Sequence, residues 1–174
     1  MEPVASPVTP VSVGVRYGLL TGLASIIFSF ILLATDNSQS SLRWLGLVIT
    51  IGGMVLAHNE FKKHNQGFMN YGQGLGIGTV MSAVGGVLNT VFSYVYMTFI
   101  EPGYMARIME QTRAKMEENA GLSEEQIDQA MAMTEKFSGG GWLLVFGILG
   151  SVLFGFIIAL LVSAITKNSR PEFD

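Results

Sequence analysis

Cysteine is absent from all 174 residues. Disulfides, thiolate nucleophiles, iron–sulfur clusters and cysteine zinc sites are thereby excluded, while the redox compartment stays open. Charge is scarce as well. Lys, Arg, Asp and Glu make up 13% of the chain and fall in a few short stretches, which separates a membrane protein from a soluble one with a large core. A net charge of −3 argues against a phosphate-binding surface, so no nucleic-acid partner is expected. Histidine occurs twice, as His58 and His64 with Glu60 between them. Zinc-binding pairs on a helix sit three or four residues apart, which these do not. Both histidines are read as part of a solvated cytoplasmic loop, and no metal or other cofactor is expected. No Asp, Glu, Lys, Arg or His stands in the central part of any long apolar run. Proton relays and ion-coupled carriers usually depend on such a residue.

What is present is apolar length. The organising stretch runs from Asn65 to Ile100 and carries no charge from Gly72 onward. As a helix, 72–100 measures about 43 Å against a hydrocarbon core of about 30 Å, so it should tilt or project. Three further runs give expected spans at 15–34, 42–57 and 142–166. Trp44 and Trp142 stand at two entrances, where amphipathic rings suit the headgroup region. Residues 1–13, with Pro3, Pro7 and Pro10, read as an extended tail. They lack the basic start of a secretory signal. Asp36 to Ser40 is a short polar turn that makes the first two spans antiparallel neighbours. The second helix is expected to continue past its span to Gly67, with Lys62, Lys63 and His64 complementing its dipole.

Small residues recur at four-residue spacing. Gly14, Gly18 and Gly22 mark the first span. Gly74, Gly78, Ser82, Gly86 and Thr90 mark the third, and Gly147, Ser151, Gly155, Ala159 and Ser163 the fourth. In lipid such faces let helix backbones approach closely. The alternating Gly72, Gly74, Gly76 and Gly78 leave two possibilities open: a surviving helix, or an unwound segment buried in protein. Asn89 is the most polar side chain near mid-span and is expected to hydrogen-bond to a neighbouring helix. Gly74, Gly78, Ser82, Gly86, Asn89, Gly147, Ser151 and Gly155 are the candidate residues for helix packing or for a polar gap.

Residues 102–137 differ. Pro102 suits a first helical turn. Tyr104, Met105, Ile108, Met109, Thr112 and Met116 share one face, and Ile127, Ala130, Met131, Thr134 and Phe137 another. Gly121 ends the first helix, with Leu122 folding back on Met116. Ser123-Glu124-Glu125-Gln126 is a capping box, and Gly139-Gly140-Gly141 is a joint. With eight acidic and four basic residues over 101–138, the hairpin carries −4. It is expected on the bilayer surface or over the bundle mouth.

Catalytic patterns are missing. Leu149 and Leu153 stand where a nucleophile elbow around Ser151 needs glycines. The alternating glycines fail G-x-G-x-x-G and follow no predicted strand. Tyr17-Gly18 and Tyr71-Gly72 echo each other faintly as the openings of two halves. Arg and Lys divide five against five between the two sides. Lys62, Lys63, Lys167 and Arg170 lie in short segments beside span ends, where the positive-inside bias acts most strongly, so both termini are placed in the cytoplasm.

The stretches YGLLTGLASII, EFKKHNQGFMNYGQGLGIG, FIEPGYMARIMEQTRAKMEE and LSEEQIDQAMAMTEKF resemble the bacterial membrane proteins grouped as domain of unknown function 4199. That resemblance spans nearly the whole chain beyond the tail. It implies a four-span protein of the bacterial inner membrane, and it carries no activity or catalytic residue with it.

The expected fold is therefore all-α. It is a polytopic membrane protein, with a tail over 1–13 and a four-helix transmembrane domain over 14–174 whose third and fourth spans are joined by an amphipathic hairpin. The expected role is that of a non-enzymatic membrane subunit or adaptor associating through its glycine-rich faces and acidic hairpin, as a homo-oligomer or with a membrane-protein partner. The alternative is a passive channel or small-solute or lipid transporter using Asn89 and the Gly72–Gly78 segment as a polar gap.

Overall fold

The computed structural model describes residues 8–35, 41–119, 121, 123–138 and 141–170. The turn Asp36–Ser40, the Leu122 fold-back, Gly139-Gly140, the first seven residues and the last four lie outside the described residues. Those described are all-helical, with no strand among them. The helices are α1 Pro10–Ala34, α2 Leu45–His64, α3 Tyr71–Val95, α4 Tyr104–Asn119, α5 Glu124–Ser138 and α6 Gly141–Thr166. Four helical stretches, Pro10–Ala34, Ser41–His64, Tyr71–Ile100 and Gly141–Thr166, are long and apolar enough to cross a membrane. The chain is a multi-pass helical membrane protein.

Local chemistry sets the helix ends. α1 begins at Pro10, ahead of the expected start at Val15, because Thr9 caps it. The Thr9 side chain accepts from the Ser12 backbone N–H at 3.1 Å, and the Ser12 hydroxyl accepts from the Thr9 N–H at 3.2 Å. Pro10 then occupies a position where its missing N–H costs nothing. α2 follows a 3-10 turn over Ser41–Trp44 and ends at His64, with Gly67 beyond it at φ +85°. That conformation favours glycine. α3 opens on a capping box of Asn70 and Gln73: the Asn70 Oδ1 accepts from the Gln73 N–H at 2.8 Å, and the Gln73 Oε1 accepts from the Asn70 N–H at 2.9 Å. The alternating glycines therefore sit inside a regular helix. Past Val95 the turns widen to a π-helix over Tyr96–Ile100. Glu101, which precedes Pro102, leaves the helical region at φ −138° and ψ 75°. α5 starts on the expected box, with Ser123 and Gln126 bonded reciprocally at 3.0 and 3.3 Å. Gly121 has φ +53°.

The chain forms two compact units, residues 1–89 with 148–174 and residues 90–147. In the first, Thr21 of α1 packs on Gly53 of α2 and Phe28 on Gly46, so these helices are antiparallel. Gly14, Gly18 and Gly22 of α1 meet Val80, Val84 and Leu88 of α3 in parallel order. Met54, Ala57, Phe61, Met69, Ile77, Met81, Ile158, Ala159 and Val162 fill the core. Outward faces carry large apolar side chains instead, among them Leu149, Leu153, Leu161 (65% exposed) and Ile165 (82%). An aqueous surface rarely carries that much contiguous apolar area, whereas lipid solvates it without cost.

In the second unit, Arg113 of α4 reaches Asp128 of α5 at 2.8 Å while also bonding Glu117 at 3.0 Å, which ties the hairpin together. Ile127 is buried, whereas Met133 and Phe137 are exposed. Phe137, Trp142 and Phe146 form an aromatic cluster with ring centroids 5.5 to 6.3 Å apart.

Candidate functional site

The two small-residue ladders meet each other. Going up α3 and down α6 in steps of four, Gly74 faces Ser163, Gly78 faces Ala159, Ser82 faces Gly155, Gly86 faces Ser151 and Thr90 faces Gly147. On every rung except Gly78–Ala159, a glycine on one helix receives a hydroxyl side chain from the other. A methyl on Gly78 would stand 2.6 Å from the Ala159 Cβ, and one on Gly147 would stand 2.7 Å from the Thr90 Cγ2. Contacts below 3 Å do not occur between real Cβ atoms, so no residue larger than glycine fits without displacing its neighbour. Gly74 and Gly78 thus sit in close packing against α6. Ser82, Gly86, Ser151 and Gly155 serve the same seam.

Beside the seam lies a cavity of about 250 Å³ between α1, α2, α3 and α6. Its wall includes Thr21, Ser25, Thr50, Ser82, Asn89 and Ser151, with glycine backbone and Phe154 between them. No ionisable side chain is among its lining residues. Three of the polar groups are already bonded to their own helices. The Thr50 hydroxyl donates to the Gly46 carbonyl at 3.0 Å, the Ser151 hydroxyl to Ile148 at 2.8 Å and the Asn89 amide to Gly85 at 2.9 Å. Asn89 was expected to bond to a neighbouring helix. It bonds four residues back instead, to a carbonyl one turn away on its own helix. The Asn89 Oδ1 and the Thr50 and Ser151 oxygens retain lone pairs for an occupant. Ser82 Oγ is buried with no partner among the described residues.

A second opening of about 320 Å³ adjoins this one and shares Gly46, Thr50 and Phe154 with it. Its rim is Arg43 and Trp44, with the Arg43 guanidinium 5.6 Å from the centroid of the Trp44 ring. The two openings lie side by side between the end of the bundle where α2 begins and the level of Ser25 and Ser82.

The opposite end of this unit is built around His58, which is fully buried. Its Nε2–H donates to the Gly74 carbonyl at 3.0 Å, since a carbonyl only accepts. Its Nδ1 lies 2.7 Å from the Thr166 Oγ1, which is also 2.7 Å from the Val162 carbonyl. One hydroxyl hydrogen serves one of those two acceptors at a time. On a neutral ring it points at Nδ1. On a protonated ring Nδ1–H donates to Oγ1, and the hydroxyl turns to Val162. Lys62 Nζ donates to the Thr166 carbonyl at 3.2 Å, and Met69 and Asn168 exchange two backbone bonds of 2.8 Å. A solvated loop was expected here. The structure corrects that reading for His58, because α2 runs unbroken to His64 and turns His58 inward. His64 remains half-exposed, 3.8 Å from Glu60, which also stands 3.9 Å from Arg16. No group of three metal-ligating side chains occurs among the described residues.

Residues 16–168 match the family described as protein of unknown function (DUF4199). The chain belongs to the DUF4199 family. No curated protein and no solved structure matches it. The DUF4199 match covers all four spans except the first residues of α1, and it includes both the cavity and His58. His58 was missed as a packing residue because only its partners distinguish it from His64. The Asn70-x-x-Gln73 pattern is a local capping signal that could have placed the start of α3, and it was not used.

Proposed function

We propose that this DUF4199 chain is a non-enzymatic integral membrane protein that holds a small amphiphile, with a membrane lipid as the favoured occupant, and passes it along the bundle. The observation that carries this reading is the cavity of about 250 Å³ between four helices. An apolar cavity of about 150 Å³ is large enough to bind benzene. Self-bonded hydroxyls allow an apolar chain to enter, because no hydrogen bond is broken by its arrival. The same oxygens can accept from a hydroxyl-bearing occupant. Hydroxyls without an adjacent acid or base give no activated nucleophile, which supports a non-enzymatic role.

The placement in a bacterial cytoplasmic membrane with both termini inside is part of the proposal. It is supported by Arg16, Lys62, Lys63 and Arg170 gathering around one end of the bundle, as the positive-inside bias favours. A second reading, a membrane subunit or adaptor, is supported by the hairpin, whose α5 leaves Met133 64% and Phe137 40% exposed. Association through the α3 and α6 ladders loses its support, since those faces are occupied by each other.

The test is reconstitution of the purified chain in liposomes, with fluorescent phospholipid redistribution and small-solute leakage both followed. Redistribution that Ser25→Phe reduces several-fold is the expected result. Liposomes that stay tight to every lipid and solute tried would count against the proposal. Deleting 103–137 tests the second reading, which fails if co-purifying proteins are unchanged.

A further inference from the structure

We infer that the opening at Arg43 is the entry for an anionic phospholipid, whose headgroup pairs with Arg43 while an acyl chain passes Gly46 and Thr50 into the bundle cavity. This rests on the lipid-holding reading above. Four observations carry it. Arg43 is the one charged residue among those lining either opening. Its guanidinium is held over the Trp44 ring, a position that leaves its donors free to bond a phosphate in a bidentate fork. Trp44 is 60% exposed, as suits a ring at headgroup depth. The 320 Å³ opening beside the guanidinium adjoins the 250 Å³ cavity at Gly46, Thr50 and Phe154, which line both.

The geometry selects between headgroups. Among the described residues, no acidic side chain lies within ion-pair distance of Arg43. A zwitterionic lipid brings its own cation to the same place and gains less from the arginine. The chain passage selects against the headgroup alone, because the route beyond Thr50 has no cation to hold a phosphate and no ionisable group at all.

The experiment is native mass spectrometry of the full-length protein in mild detergent, supplied with equal amounts of phosphatidylglycerol and phosphatidylcholine of the same chains. One phosphatidylglycerol is expected to be retained in about tenfold preference, the scale of one charge-assisted hydrogen bond. Arg43→Gln is expected to abolish the preference, and Arg43→Lys to keep part of it. Lys63→Gln, at the other end of the bundle, should leave it unchanged. Thr50→Phe, which narrows the shared passage, should lower retention of both lipids. Three results would overturn the inference: equal retention of both lipids by the unaltered chain, a preference that survives Arg43→Gln, or full competition by glycerophosphoglycerol, which has the headgroup without chains. Equal retention alongside active liposomes removes the anionic assignment and leaves the lipid-holding reading in place. Loss of all retention with tight liposomes removes both.

Discussion

Gly78 on α3 and Ala159 on α6 face each other at a point where a single added methyl would stand 2.6 Å from the opposing Cβ. Gly76, two residues away, has nothing described within 4 Å of where its Cβ would be. Gly78→Leu is therefore expected to destabilise the bundle by about 1–3 kcal/mol through overpacking, and Gly76→Leu to be tolerated. Thermal unfolding of the two variants in the same detergent checks this. Equal loss in both would mean that the seam is not the close contact described.

His58 ties α2 to α3 and α6. His58→Ala removes its bonds to the Gly74 carbonyl and the Thr166 hydroxyl and leaves a void, at an expected cost of about 2–4 kcal/mol. Thr166→Val keeps the shape and should cost about 1 kcal/mol. A double-mutant cycle should return a coupling of at least about 0.5 kcal/mol. Additive effects would show that the two side chains do not act together.

The start of α1 depends on Thr9. Thr9→Ala deletes the oxygen that receives the Ser12 N–H and should weaken this end by about 0.5–2 kcal/mol. Hydrogen exchange should quicken at Ser12 and leave the middle of α1 unchanged. Unaltered protection at Ser12 would remove the cap from the account.

Arg113 bridges the hairpin by its bonds to Glu117 and Asp128. Glu117 first and Asp128 second raise the guanidinium's pKa further above its ordinary value, so it stays cationic at any working pH. Arg113→Gln should speed proteolysis between α4 and α5 at low salt. The difference should shrink as salt rises, because exposed pairs are screened.

Trp44 and Trp142 are both more than half exposed. In single-tryptophan variants, lipids brominated near the headgroup should quench each more strongly than lipids brominated deep in the chain. Stronger deep quenching would move these helix starts away from the interface.

The number of apolar helices long enough to span could be read along the chain. An apolar run of about 20 residues has to hydrogen-bond to itself in lipid, and a helix does so locally. The start of α5 was legible because its cap, Ser123 with Gln126, lies within three residues; the equally local caps Thr9–Ser12 and Asn70–Gln73 were not read. The small-residue ladders were legible as faces, since four-residue spacing keeps side chains on one side of a helix. Which face met which was decided only by tertiary structure. The α3 ladder could have served another chain as readily as α6, and the antiparallel register from Gly74–Ser163 to Thr90–Gly147 is a property of two helices together. His58 and Asn89 make the same point in opposite directions. One looked solvated and is buried, because its neighbours at Gly74 and Thr166 come from distant parts of the chain. The other looked set to cross to another helix, and it bonds to a carbonyl one turn back on its own. Ser82, Gly86, Asn89, Ser151 and Gly155, marked in the sequence as candidates for packing or a polar gap, line the cavity, but its extent was decided by tertiary structure, because a void is defined by what four helices leave unfilled.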